Sequence, residues 1–246
     1  MNQYIDDIVY EVKNYDNNES SFFYLYKGTS DIVCSEIKKG NIWEKELSNF
    51  LKNNIKKTDI ILEAGTHIGS HTVKICKNSN FVYGFEPYPL SYDLVNKNLK
   101  LNNLNNYKIF NKALSNENKL IKLEFHSPLA RNVGGWGLYF ESKFDDDNDI
   151  EVDCVTIDSL NFNKLDLIKL DVEGFEKDVL IGGIETIKKF KPIIIFENWD
   201  DNESIDLNNT IKKFDFLISI GYSINYLNGN NHNGCPDYVA KYTINE

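Results

Sequence analysis

Four short stretches gather acids, glycines and an amide at spacings that could do chemistry. Thr58 to Val73, TDIILEAGTHIGSHTV, sets Glu63 ahead of glycines at 65 and 69. Glu86-Pro87 follows, with Glu86 23 positions after Glu63. Asp171 and Glu173 stand in KLDVEGFE, and Glu197-Asn198 closes KPIIIFEN. The G-x-x-x-G is not the G-x-G-x-x-G of a dinucleotide site, and an acid at its head suits a cationic ligand better than a pyrophosphate. The second acid falls at the interval from which a carboxylate takes up ribose hydroxyls in a Rossmann-type unit. Glycines serving only a tight turn are the alternative reading. Asp171 and Glu173, or an outside base such as His67, His126 or His232, could take a proton from a hydroxyl. Asp171, Glu197 and Asn198 offer the hard oxygen ligands that Mg²⁺, Mn²⁺ or Ca²⁺ accepts.

These residues need a scaffold that brings strand ends together. Asp59 to Leu62 reads as a short buried strand and Ser70 to Lys77 as a helix, which is the opening strand–loop–helix of a nucleotide-binding α/β domain. Phe81–Phe85, Tyr107–Phe110, Leu167–Leu170 and Pro192–Phe196 are further apolar strands, with helices from Trp43 to Asn54, Leu90 to Leu101, Phe175 to Ile181 and on to Phe190. A helix over Leu207–Ile220 and strands at Tyr222–Tyr226 and Tyr238–Tyr242 complete the sheet. Residues 1–40 read as an extension of strand-like pieces, Asp7–Val12 and Ser21–Tyr26, and 41–246 as the main domain. Lys119–His126 and Asp149–Ile157 form an inserted hairpin. Its connection holds Arg131 and Trp136 among glycines, a stacking surface for an acceptor or a plain packed tryptophan. The acidic run from Asp145 lacks the glycine and glutamate of a calcium loop and reads as a solvated tip.

LEAGTHIGSHTV, FVYGFEP, IKLDVEGFEKDVLIGG and KPIIIFE resemble, in order and spacing, the motifs of FkbM-type S-adenosylmethionine-dependent methyltransferases. The likeness runs over roughly residues 40–200. It implies a Rossmann-like class I methyltransferase fold, a seven-stranded mostly parallel sheet flanked by helices. It also implies S-adenosyl-L-methionine as cofactor, held by Glu63, Gly65, Thr66, His67, Gly69, Glu86, Pro87 and Asp171, with Asn111 and Ala113 beside the adenine. The chain departs at Glu63-Ala64-Gly65-Thr66-His67, where the family usually reads Asp-x-Gly-Ala-Asn. The implied reaction is O-methylation of a sugar, glycan or small-molecule hydroxyl; the strand-end acids Asp171 and Glu173, and His126 by its place at the mouth of the Trp136 loop, are the expected catalytic groups, and Arg131 and Trp136 of that loop the expected acceptor contacts. Asp171 with Glu197-Asn198 also resembles the magnesium site of catechol-type O-methyltransferases, so a divalent cation, Mg²⁺ or Mn²⁺, is a second expected cofactor. The alternatives are a nucleic-acid 2′-O-methyltransferase and a catalytically silent S-adenosylmethionine-binding scaffold.

Composition narrows the partners. The 246 residues carry 37 acidic against 27 basic side chains, a net charge of -10. A nucleic-acid partner gripped through its phosphates calls for the opposite balance. No apolar run is long enough to span a membrane. An acidic N-terminus without an apolar h-region and four scattered cysteines point to a reduced, cytoplasmic setting.

Overall fold

A computed structural model of the chain describes residues 4–13, 19–28, 31–123, 150–198, 207–227 and 237–243. An antiparallel hairpin of β1 (Tyr10–Lys13) and β2 (Ser20–Phe23) comes first, then helices α1 (Ile32–Lys38) and α2 (Lys45–Asn54). Next come β3 (Ile60–Ala64), α3 (Thr72–Asn78), β4 (Phe81–Phe85), α4 (Pro89–Leu101) and β5 (Tyr107–Phe110). The short β6 (Ala113–Leu114), β7 (Lys119–Leu123) and β8 (Ile150–Val155) form a separate small sheet. The chain then adds β9 (Leu167–Leu170), α5 (Glu176–Ile181), α6 (Ile184–Phe190) and β10 (Ile193–Glu197). It finishes with α7 (Leu207–Lys213), α8 (Asp215–Ser219), β11 (Tyr222–Tyr226) and β12 (Asp237–Tyr242).

The main sheet has seven strands in the order β11-β12-β10-β9-β3-β4-β5. The pairs β5–β4, β4–β3, β3–β9 and β9–β10 are parallel, and β12 lies antiparallel between β10 and β11. This is the Rossmann-like, mostly parallel sheet expected of a class I methyltransferase. Parallel strands are covered on both faces, which is why β3 and β9 read as nearly unbroken apolar runs. Ile61, Val82, Leu167 and Ile195 pack on one face with residues of α1–α4 and the hairpin. Leu62, Ile168, Ile194 and Ile224 pack on the other, against Val179, Leu180, Ile187, Phe214 and Leu217 of the later helical segment.

Residues 1–40 hold more than strands. Seven of them, Ile32–Lys38, are helical, capped by Asp31, whose Oδ1 accepts from the Cys34 amide at 2.8 Å. The hairpin is fastened by two asparagines one turn apart, Asn98 on α4 and Asn102 capping its end. Asn98 accepts from the Tyr24 amide at 2.7 Å and donates to the Tyr24 and Ile68 carbonyls at 3.1 and 2.8 Å. Asn102 accepts from the Phe22 amide and donates to its carbonyl, at 2.9 and 2.7 Å. The amides thus continue the strand's hydrogen-bonding edge onto a helix. The helix expected over Leu207–Ile220 is two helices, parted at Phe214 (φ −112°, ψ 29°).

Candidate functional site

The carboxyl ends of β3, β4 and β9 meet at one crevice, where a parallel α/β sheet holds its ligand. The loop after β3 turns by left-handed backbone at Gly65 (φ 77°), His67 (φ 48°) and Gly69 (φ 88°). A methylene on Gly65 would lie 1.8 Å from the Asp171 carbonyl oxygen, so this glycine lets the loop close onto the end of β9. The first thing a side chain here would meet is therefore the Asp171 backbone. Gly69 has a different neighbour, the Val95 side chain on α4, at 2.9 Å from such an atom.

Glu86 fastens the same loop to β4. Its Oε2 accepts from the His67 amide at 2.7 Å and its Oε1 from the Tyr88 amide at 3.0 Å. Burial to 6 % exposure pushes its carboxyl up to about 7, against the two amides that favour the charge. Asn111 donates to the carbonyls of Glu86 and Pro87 at 2.8 and 2.9 Å, so its amide shapes this acidic turn. Ala113 is placed elsewhere: it is buried in the small sheet's own core with Ile121, Leu123, Val152 and Cys154.

Behind the loop lies a charge cluster that local motifs do not announce. Glu63 on β3 pairs in register with Lys169 on β9. Both are enclosed, 1 % and 2 % exposed, with Lys169 Nζ 3.8 Å from Glu63 Oε1 and 3.4 Å from Asp171 Oδ2. Burial works against the charged Lys169, yet Asp171, Glu63, Glu44 and Asp237 together raise its pKa. Glu44, the left-handed residue (φ 42°) before α2, meets His71 Nε2 at 2.8 Å through its Oε2. Asp237 opens β12 opposite Glu197, and burial, then Glu44, push it up to about 7 against the pull of Lys169. Glu63 is raised by burial, with Lys169 and His71 opposing.

The loop after β9 carries the acids that face outward. Asp171 is 36 % exposed. Glu173 has a left-handed backbone (φ 53°), and burial, then Asp171 and Glu176, push its carboxyl up to about 7. Glu176, absent from the expected site, accepts from the Val172 and Gly174 amides at 3.1 and 3.3 Å and so holds the loop's shape.

Asn198, expected with Asp171 and Glu197 as a metal ligand, is engaged within the protein: its Oδ1 accepts from Lys213 Nζ at 2.6 Å and its Nδ2 donates to Thr210 at 3.0 Å. Among the described residues no three His, Cys, Asp or Glu side chains are grouped to hold a metal ion. Glu197 is buried at the end of β10, level with Asp237. His126, Arg131, Trp136 and His232, and the acidic run Asp145–Asp149, lie outside the described residues. His67 does sit in the crevice loop: burial lowers its pKa against Asp31 and Asp171, and its Nε2 makes no hydrogen bond, with Asp31 Oδ2 3.7 Å away.

The residues present fit a cationic, hydroxyl-bearing nucleoside. Glu63 Oε2, Thr66 Oγ1 and His67 Nε2 are buried without a hydrogen-bond partner, a cost of about 1–3 kcal/mol each unless something fills it. Four carboxylates, Glu44, Glu63, Asp171 and Asp237, surround one lysine. No helix among the described residues is long and apolar enough to cross a membrane.

Comparison with known proteins places the chain among methyltransferases. The model of the methyltransferase FkbM domain matches residues 63–222, well over half of the chain. "Methyltransferase 1" of Beauveria bassiana is 24 % identical over 172 residues, covering 60 % of this chain and 64 % of the relative. The crystal structure of an FkbM methyltransferase from Methylobacillus flagellatus superposes with a TM-score of 0.55 at 15 % identity, covering 76 % of this chain and 44 % of that one. The chain therefore spans less than two thirds of the length of either. At that identity the structural likeness speaks for the fold. An rRNA methylase from Streptococcus thermophilus is more distant, at 11 % identity, 80 % and 95 % coverage and a TM-score of 0.49.

Proposed function

We propose that this chain, which belongs to the FkbM methyltransferase family, transfers a methyl group from S-adenosylmethionine to a hydroxyl of a sugar, glycan or small-molecule scaffold. Residues 41–246 form the catalytic domain on this reading and 1–40 an extension packed on it. The observation that carries it is geometric: the loop after β3, fastened to β4 by Glu86, closes onto the end of β9 at Asp171, and two residues on stands Glu173, whose carboxyl burial pushes up to about 7. A base of that strength is matched to the pH at which it must accept a proton and then lose it to water.

Glu86 would hold the ribose hydroxyls with the lone pairs its two backbone amides leave unused. Asp171, Glu63 and the turn from Gly65 to Gly69 would line the methionine end, where their negative charge suits an ammonium and a sulfonium. S-adenosylmethionine, once bound, supplies an electrophilic methyl on a good leaving group. Asp171 would accept a hydrogen bond from the acceptor hydroxyl and aim its oxygen, and Glu173 would take the proton as that oxygen bonds to the methyl carbon and the carbon–sulfur pair leaves. Fixing two reactants in line and away from water is worth several orders of magnitude in rate. With Asn198 turned to Lys213 and Thr210, the carboxylate base is preferred to a metal-activated hydroxyl.

The test is to incubate the protein with methyl-labelled S-adenosylmethionine and pools of glycans, small metabolites and RNA, followed by mass spectrometry. Label on a glycan or metabolite oxygen is expected. Label confined to RNA ribose overturns the acceptor assignment, and bound cofactor without any transfer makes the protein a scaffold.

A further inference from the structure

We propose that Lys169 is a positioning residue for the transfer, acting by fixing the Asp171 carboxylate at the mouth of the crevice. The inference rests on the methyl-transfer reading above. A lone ammonium in a strand that otherwise reads Leu-Ile-…-Leu is costly to bury, and apolar residues of similar size often serve stability as well or better. Its neighbours show what it does instead. Glu63, level with it on β3, meets its ammonium from a buried site at 3.8 Å, and the ammonium then reaches Asp171, two residues on and on the same face of β9, at 3.4 Å. Glu44 before α2 and Asp237 at the head of β12 act on it electrostatically from two further elements.

The geometry is therefore a buried post with one outward attachment. Asp171 has two side-chain torsions and is 36 % exposed, so nothing in its own burial would hold its carboxylate still. A charged hydrogen bond from a group that cannot itself move does so, and it is stronger than one between neutral partners. The enclosing ring of carboxylates keeps the lysine protonated, which keeps the attachment permanent over the working pH range. Lys169 reaches no crevice surface of its own, being 2 % exposed, and so acts through Asp171.

A four-protein cycle tests this: wild type, Lys169→Arg, Asp171→Asn and the double variant. Each is assayed with methyl-labelled S-adenosylmethionine and the extracted glycan and metabolite pool, with cofactor affinity by calorimetry and folding by thermal melting. Lys169→Arg keeps the charge but displaces it, and should lower kcat on the order of ten- to a hundredfold, as small misplacements of reacting groups do, with little change in the KM for S-adenosylmethionine. In the Asp171→Asn background the same substitution should change kcat by less than about twofold, because interacting residues are not additive. Equal fold-losses in both backgrounds, or no loss in the first, would overturn the role. Should Lys169→Arg fail to fold, the ¹⁵N ammonium resonance of Lys169 decides: it should move on Asp171→Asn, and an unmoved signal sinks the proposal. A wild type that transfers no methyl defeats the methyl-transfer reading and this role with it. Normal transfer with an indifferent Lys169 defeats this role alone.

Discussion

Gly65→Ala isolates the contact on which the crevice is built. The added methyl would stand 1.8 Å from the Asp171 carbonyl oxygen and 2.8 Å from its carbon, both backbone atoms, so no rotamer change can relieve it. The residue must also keep φ at 77°. A left-handed alanine costs about 1–2 kcal/mol, and forcing an extra methyl into a close-packed contact adds typically about 1–3 kcal/mol. Gly174 is the matched control, since its φ is 99° but an added methyl there meets nothing within 4 Å. The two variants share the strain and differ only in the collision. In a chain of this size a kilocalorie shifts the melting temperature by roughly 2–4 °C. Gly65→Ala should therefore melt about 2–12 °C below Gly174→Ala, read by calorimetry or circular dichroism. Equal melting of the two would refute the claim that Gly65 exists to let the loop and β9 touch.

Asn98→Leu removes an amide that serves three backbone groups, Tyr24 twice and Ile68 once, and should destabilise the fold by at least about 2 kcal/mol while speeding proteolysis within the N-terminal hairpin; unchanged cleavage would show that the hairpin is held by other means. Glu86, Glu173 and Asp237 all sit near 7 when folded, above the ordinary carboxylate value, so the folded state binds more protons than the unfolded one between about 4.5 and 7. Stability should then fall as pH rises through that window and level off above it, whereas kcat should rise through about 7, and Glu173→Gln should remove that rising limb; a profile unaltered in the variant assigns the base elsewhere. Exhaustive chelation should leave methyl transfer intact because Asn198 is committed to Lys213 and Thr210, and restoration of a lost activity by Mg²⁺ or Mn²⁺ would reinstate the metal.

The parallel strands of the main sheet are legible because each is a largely apolar run of four or five residues bounded by turn formers. Tyr107–Phe110 and Leu167–Leu170 fall where the pattern puts them, and the fifth of the parallel strands begins one residue late because Pro192 has no amide to pair. Helix α1 is hard to read because of its length: two turns show too little periodicity, although Asp31 is a cap signal. The break at Phe214 left no trace, since apolar spacing runs through it and the residue is fully buried. At the site, the acids ending β3, β4 and β9 are local to their strands and could be read. Lys169 could have been noticed as one charge in an apolar strand. Glu44 and Asp237 could not, because they stand far from it in sequence and join it only when α2 and β12 pack against the sheet. For Asp171, Glu197 and Asn198 the converse holds: strand ends can be located from sequence, but which way Asn198 turns is decided by Lys213 and Thr210.

The central claim is that Glu86 and the loop it fastens form the cofactor site, and titration calorimetry of S-adenosylmethionine into wild type and Glu86→Ala tests it most directly. A charge-assisted hydrogen bond is worth about 1.5–3 kcal/mol, so a folded Glu86→Ala should bind roughly ten- to a hundredfold more weakly than wild type. Equal affinity in the two proteins, or no binding to wild type at all, would contradict the account.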